Sequence, residues 1–286
     1  MRELDYLCIG HVTRDLTAAG PTMGGTATYS ARTVRALGKQ VAVVTSAGPD
    51  YDLSGALLDI PVSILPSAAT TTFQNIYTPD GRRQIIHSVA NSLGAADVPQ
   101  EWPTPKLVHL GPVAAEVDER LIHHFDGALI GLTPQGWHRR WGDDGRVVSV
   151  RWPAAAQVLS LATAVIVSQE DIDDDDTWVL YHQTCRLLVI TNGAAGCVVH
   201  YQGRQRRFAA LPVVEVDATG VGDMFAAAFF VRLWESGGDP WESARFATRI
   251  ASPTVARSGL DGIPTRAEIA AARLPAAGGA DGDNEG

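Results

Sequence analysis

The sequence predicts an α/β fold: a mainly parallel sheet covered by helices on both faces. Three observations carry the prediction. Short, almost continuous apolar runs recur at 4–11, 41–48, 107–111, 127–132, 163–168 and 186–191. Segments of helical composition stand between them, as in GGTATYSARTVRALG (24–38), EVDERLIHHF (116–125) and PAAAQVLSLA (153–162). The runs are unbroken rather than alternating, as strands buried on both faces require. A length of 286 residues suits one large α/β domain or two small ones.

Taken in order, LDYLCIGH (4–11) reads as the first strand. The helix over 24–38 follows, with Gly38 placed to stop it. VAVVTSAG (41–48) completes a strand–helix–strand unit of βαβ length. TTFQNIYTPDGRRQIIHSV (71–89) breaks the rhythm. Its two β-rich runs flank TPDG, a turn signal, and read equally as a small flap beside the main sheet or as an edge hairpin. His123 and His124 are neighbours on an expected helix and so do not share a face. DIDDDD (171–176) lacks the order of a calcium loop and reads as a solvated acidic helix start. The domain is expected to span 1–272, and the small acidic stretch RLPAAGGADGDNEG (273–286) reads as a loose tail.

Composition narrows the function classes. Apolar residues make up 45% and charged residues 19%, as in a folded globular chain. The net charge of −9, without a basic block, argues against nucleic acid or an anionic membrane as the main partner. No segment approaches the roughly 20 apolar residues of a membrane span. Cys8, Cys185 and Cys197 form no CxxC pair and read as buried thiols of a reduced cytoplasmic enzyme. No GxGxxG follows the first strand, which disfavours a dinucleotide-binding domain.

The informative stretch is VDATGVGDMFAAAFF (216–230). Gly220 and Gly222 let successive N–H groups converge, and a helix start at about Gly222 adds its dipole, so the loop is an anion site. Asp223 stands where a carboxylate could take the proton of an attacking hydroxyl. Taken alone, the turn favours the plainer reading that Asp223 only caps the helix.

DATGVGD (217–223) resembles the DTxGAGD signature of the PfkB, or ribokinase-like, carbohydrate kinase family. Other segments are similar to the family's in the same order. GGTATYSARTVRALG matches its GGxxxNxAxxxAxLG segment, with Tyr29 where asparagine is common; Asp15 matches its substrate-binding aspartate. ITNGAAG (190–196) matches its VTxGxxG nucleotide segment, and 246–269 its final helix and Gly-to-Pro exit.

The resemblance implies a ribokinase-like three-layer α/β/α fold with a small, reduced β lid, its elements at about 12–25 and 70–90 and built mainly from 71–89. It implies a kinase using ATP and magnesium on a sugar or polyol, with a nucleoside or inositol next. Asp223 would be the catalytic base, and the 218–222 backbone, including Gly220, Val221 and Gly222, the anion hole. Asp15, Gly24, Gly25 and Tyr29 would hold the acceptor. Thr191, Gly193, Gly196, Thr219 and Gly220 would meet ATP. Many relatives also place a monovalent cation near this loop, and a homodimer paired through the lid is compatible with it.

Three departures stand out. Ser168 to Asp171 has the spacing of the family's NxxE motif but different residues, leaving Glu170 or Asp171 to reach a magnesium ion through water. Thr133 and Gln135 replace the aspartate and asparagine of a DPN segment. These motivate the alternative of a catalytically weak binding or regulatory protein on the same fold. Gln74, Asn75 and Arg82 or Arg83 are further candidate contacts on the hairpin.

Overall fold

The structure is a computed structural model that describes residues 3–17, 20–78 and 81–275. Its first half runs β1 (Tyr6–Ile9), β2 (Thr13–Thr17), β3 (Gly20–Gly24), α1 (Thr26–Ala36), β4 (Val41–Ala47), α2 (Ser54–Leu57), β5 (Val62–Pro66), β6 (Thr72–Thr78), β7 (Gly81–Ser88) and β8 (Leu107–Leu110). Then come β9 (Leu129–Leu132), β10 (Arg139–Trp141), β11 (Val147–Ser149), α3 (Ala155–Leu161), β12 (Ala164–Ser168), α4 (Asp175–Thr184) and β13 (Leu187–Thr191). The chain closes with β14 (Cys197–Tyr201), β15 (Arg204–Phe208), α5 (Val221–Glu235), α6 (Pro240–Thr254) and α7 (Arg266–Ala272).

The large sheet has the order β15-β14-β13-β12-β9-β8-β1-β4-β5. From β13 to β5 every neighbouring pair is parallel, and only β14 and β15 add antiparallel steps at one edge. Successive side chains of a strand point to opposite faces, so an unbroken apolar run feeds two cores. Tyr6 and Cys8 join the core of α1, α5 and α6, whereas Leu7 and Ile9 join the core of α3 and α4. This is the expected three-layer arrangement.

Helix α5 accounts for the apolar run behind the glycine loop. Met224 to Val231 are all buried, because the helix packs against the sheet and also against α1 and α6. Each buried phenylalanine contributes about 1.5–3 kcal/mol by leaving water. At Gly131 of β9 a side chain would collide with the ring of Phe230 (2.6 Å), so the central sheet is notched to receive the helix.

A second sheet of order β3-β2-β6-β7 lies beside the first. Two of its strands lie within 12–25 and two within 70–90, so it draws equally on the two stretches rather than mainly on 71–89. Two five-residue strands fit in the first stretch because the chain reverses within it: the ladder runs from Thr13–Gly24 to Thr17–Gly20, and Thr17 Oγ1 donates to Gly20 O (2.7 Å). The middle of the TPDG turn lies outside the described residues, but Thr78 pairs with Gly81 across it. The β10–β11 hairpin, which sequence reading missed, is tied to the outer edge of β7: Ile86 N–H donates to Gly145 O (2.8 Å).

Two expectations are corrected. EVDERLIHHF forms only a short 3-10 turn, Glu119–His123, rather than an α-helix. Val117 is held extended by a bridge to Leu93, and Asp118 begins the turn by accepting from Arg120 N–H (2.9 Å). Helix α5 starts one residue earlier than expected, at Val221. The acidic run does begin a helix: Asp174 caps α4 by accepting from Thr177 N–H (2.8 Å). All three cysteines are free, and burial pushes the Cys185 and Cys197 thiols up to about 12. Of the expected tail, residues 276–286 lie outside the described residues.

Candidate active site

The carboxyl ends of β12 and β13, the second sheet and the amino end of α5 enclose a cleft of about 410 Å³. Ligands of parallel α/β sheets commonly bind at this end. The buried Glu116 carboxylate helps to build it. It accepts amides from His11 (2.9 Å) and Ala114 (2.7 Å), pinning the turn after β8 to the end of β1.

The glycine loop forms one wall. Asp217 shapes it, as its two oxygens accept from Thr219 N–H (2.9 Å) and Gly259 N–H (3.0 Å). Burial alone would raise the Asp217 pKa, but these bonds outweigh it and hold the carboxyl below its ordinary value. Gly220 caps α5 in the left-handed region (φ 76°), and a side chain there would fall on the ring of Tyr29. Glycine meets both demands.

Accounting for the amides sharpens the anion site. Thr219 N–H is committed to Asp217, and Val221 N–H is turned to Ala218 O (3.3 Å). The N–H groups of Gly220, Gly222 and Asp223 have no protein acceptor among the described residues. Val221, named with the glycines from sequence, is therefore the member whose amide is already engaged.

Asp223 lies in the first turn of α5 and opens on the cleft, while protein encloses the rest of its side chain. Its Oδ1 accepts from Thr26 Oγ1 (2.7 Å). Burial raises its pKa to about 6, against the lowering pull of Thr26 and Arg139; Asp171 and Asp15 push it further up. Such a carboxylate is ionised at neutral pH yet basic enough to take a proton from a hydroxyl in transit.

Beyond Asp223 the cleft is polar. Thr13 Oγ1 donates to Asp15 Oδ1 (2.9 Å), and burial raises the Asp15 pKa. Gly24 does not line the cleft itself; a side chain there would strike the Asp15 carboxylate. Gly25 and Tyr29 both line it. At the other end Thr191, Gly193 and Gly196 border the cleft, facing Leu211 and Val213 and the α6 residues Thr248 and Ser252. Leu211 and Val213 are 48% and 39% exposed, so this end offers an open apolar wall.

The departures from the family motifs meet here. Gln135 Nε2 donates to Asp171 Oδ1 (2.8 Å), and Ser168 N–H donates to Asp171 Oδ2 (3.2 Å). Glu170 lines the cleft, and its carboxylate has no protein partner among the described residues. Two hard oxygen donors are thus at hand, which fits a hydrated magnesium ion.

Among the cleft residues not anticipated are Thr26, Phe73, Gln84 and Arg139. Thr26 is the residue after the quoted Gly24–Gly25 pair, but nothing local says that its hydroxyl faces α5. Of the hairpin candidates, Asn75 lines the cleft, where Gln84 Nε2 donates to its Oδ1 (3.0 Å). Gln74 points to the other face and bonds His87 (3.0 Å), as strand alternation requires. Arg83 borders a neighbouring cavity of about 180 Å³, and the Arg82 side chain lies outside the described residues.

Known proteins agree with this architecture. A match to the pfkB family carbohydrate kinase pattern spans residues 151–266. The cytidine kinase of Thermococcus kodakarensis is 32% identical over 264 residues, covering 84% of this chain and 91% of that protein. The inositol 3-kinase of Oryza sativa is 24% identical over 250 residues, covering 79% of this chain and 62% of that protein. Among solved structures, a pyrophosphate-dependent kinase of the ribokinase family complexed with a pyrophosphate analog and myo-inositol superposes with a TM-score of 0.77 (21% identity, 93% of this chain, 99% of that one). Arabidopsis thaliana ribokinase complexed with ribose and ATP gives 0.67 (18% identity, 94% and 98%). With its ribokinase-like fold, the chain belongs to the pfkB family of carbohydrate kinases, phosphotransferases with a hydroxyl group as acceptor.

Proposed function

We propose that the protein transfers the γ-phosphoryl group of ATP to a hydroxyl of a small sugar or polyol. The observation that carries the reading is Asp223: a carboxylate of raised pKa, opening on the cleft, in the same turn as three unpaired amides. Asp223 takes the proton as the acceptor oxygen attacks phosphorus. The amides of Gly220, Gly222 and Asp223 hold the negative charge of the moving group without reorganisation. Asp15 binds acceptor hydroxyls, with Gly24 leaving room for its carboxylate and Gly25 and Tyr29 beside it.

The nucleotide lies along Thr191, Gly193 and Gly196. The apolar wall of Leu211 and Val213 favours a donor with a base over pyrophosphate, although the relative complexed with a pyrophosphate analog makes that the donor to compare. Glu170 and Asp171 would hold magnesium through water, and the ion, when bound, neutralises donor phosphate charge. An inositol or nucleoside acceptor is the second reading, favoured by the names of the inositol 3-kinase and the cytidine kinase. Three free thiols fit a reducing cytoplasm.

The test is acceptor-dependent ADP release from Mg-ATP, or phosphate release from pyrophosphate, over fructose, ribose, myo-inositol and cytidine, with and without potassium. Activity with at least one acceptor is expected, and its loss in Asp223→Asn. No release despite measurable acceptor binding would refute the kinase reading. Undiminished activity in Asp223→Asn would refute the base.

A further inference from the structure

A buried chain of hydrogen bonds runs from the floor of the cleft to the backbone of Asp223. Thr133 Oγ1, just past the end of β9, lies 2.8 Å from His109 Nε2, and His109 Nδ1 lies 2.8 Å from Tyr6 Oη. The Tyr6 hydroxyl bonds that of Ser30, and Ser30 Oγ reaches Asp223 O (3.4 Å). His109, Tyr6 and Ser30 are buried, and of the four side chains only Thr133 lines the cleft. Thr133 also stands close to the base. A side chain at Gly111 would meet Thr133 Oγ1 at 3.2 Å and strike the methyl of Thr26, whose hydroxyl bonds Asp223.

The inner end of the chain sets the direction of every proton in it. A carbonyl oxygen only accepts, so Ser30 donates to Asp223 O. With its one proton spent, Ser30 accepts from Tyr6. Tyr6 then has no proton left for His109, so Nδ1–H donates to Tyr6 Oη. Burial keeps His109 neutral, its pKa pushed down to about 3, so the ring carries a single N–H and Nε2 is a bare acceptor. Thr133 therefore donates inward to Nε2. Its oxygen has only lone pairs to show the cleft.

We infer that Thr133 is a specificity-determining acceptor for an O–H group bound in the cleft, made so by the His109–Tyr6–Ser30 chain that draws its proton inward. It offers a ligand what a carboxylate offers, an acceptor without a proton. The exchange of the DPN aspartate for threonine thus keeps the polarity of the position and removes its charge. A phosphate oxygen, itself an acceptor, finds no partner there. The O–H group belongs to the phosphoryl acceptor or to water held by magnesium, a choice that rests on the kinase reading of the cleft.

The experiment reads the proton first. Long-range proton–nitrogen correlation spectra of the nitrogen-labelled full chain at neutral pH report the His109 tautomer, with His109→Gln identifying its signals. A protonated Nδ1 and a bare Nε2 are expected in wild type; the proton on Nε2 overturns the inference. Calorimetry then compares wild type, Thr133→Val and Thr133→Ser. The probes are fructose, ribose, myo-inositol and cytidine in metal-free buffer, and ATP over a magnesium titration. Thr133→Val should weaken acceptor binding or the magnesium-dependent binding of ATP about three- to tenfold, and Thr133→Ser should restore it. Weaker acceptor binding without metal assigns the O–H group to the acceptor. Unchanged acceptor binding with a displaced magnesium titration assigns it to metal-held water. No change in either, or Thr133→Ser as impaired as Thr133→Val, overturns the inference. ADP release measured alongside separates the two readings. The expected tautomer and Thr133→Val loss without turnover keep the Thr133 assignment and remove the kinase; turnover with the proton on Nε2 does the reverse.

Discussion

Replacing Asp223 by asparagine should abolish activity and strengthen the fold at the same time. The rise of its pKa from 3.8 to about 6 places a cost of up to about 3 kcal/mol on its charged form. The sign follows from linkage. Between these values the folded protein holds a proton that the unfolded chain has released, so stability falls as pH rises from about 4 to about 6 and stays lower above. Asparagine keeps an oxygen to accept from Thr26 but carries no charge. At pH 8 the variant should therefore unfold several degrees higher, roughly 5 °C for a chain of this size, and the gap should close near pH 4. Calorimetry at the two pH values measures it. The same carboxylate sets the wild-type kcat/KM, which should fall tenfold per pH unit below about pH 6 as the base is protonated. An Asp223→Asn protein less stable than wild type at pH 8, or a pH profile flat between 7 and 5, would refute the account.

Gly220→Ala should cost about 1–2 kcal/mol of stability from the left-handed backbone alone, read as a lower urea midpoint, and reduce kcat about a hundredfold or more as the loop is pushed off Tyr29. Gln135→Ala removes the 2.8 Å donor to Asp171; a loss of about 1 kcal/mol in stability and a higher magnesium requirement for turnover are expected, and an unchanged magnesium titration would show that Asp171 does not depend on it. His109 is fully buried between Tyr6 Oη and Thr133 Oγ1, both at 2.8 Å, and burial pushes its pKa down to about 3. The unfolded chain takes up a proton below pH 6.5 that the folded protein refuses, so His109 costs about 1.4 kcal/mol of stability per pH unit as pH falls. Urea titrations of His109→Gln between pH 6.5 and 5 should show a slope shallower by one proton, and an identical slope would disprove it.

Much of the site is local in the chain. Gly220, Gly222 and Asp223 lie within four residues, and a glycine turn running into an apolar helix marks a candidate anion site from residue types alone. The 24–38 segment and ITNGAAG are equally compact signals. The partners of these segments are not local. Thr26 reaches Asp223 across 197 positions, and Gln135 reaches Asp171 across 36. No periodicity encodes such pairs. Arg139 is one of two adjacent arginines, and the hairpin that carries it begins with a strand of only three residues, too short to leave a periodic signal. The helix expected over 116–125 failed because a bridge to Leu93 overrides the local preference for helix.

By itself, the sequence determined the parallel α/β architecture and the glycine loop. The first follows from apolar runs alternating with helical segments along the chain, the second from residue types and spacing within one short segment. Only the tertiary structure decided which amides remain unpaired, which carboxylate is desolvated enough to be basic, and which way Thr133 directs its proton. Those properties depend on what the fold brings from elsewhere to exclude water or complete a hydrogen bond. Burial sets the pKa of Asp223, and burial belongs to the assembled cleft rather than to the DATGVGD segment alone.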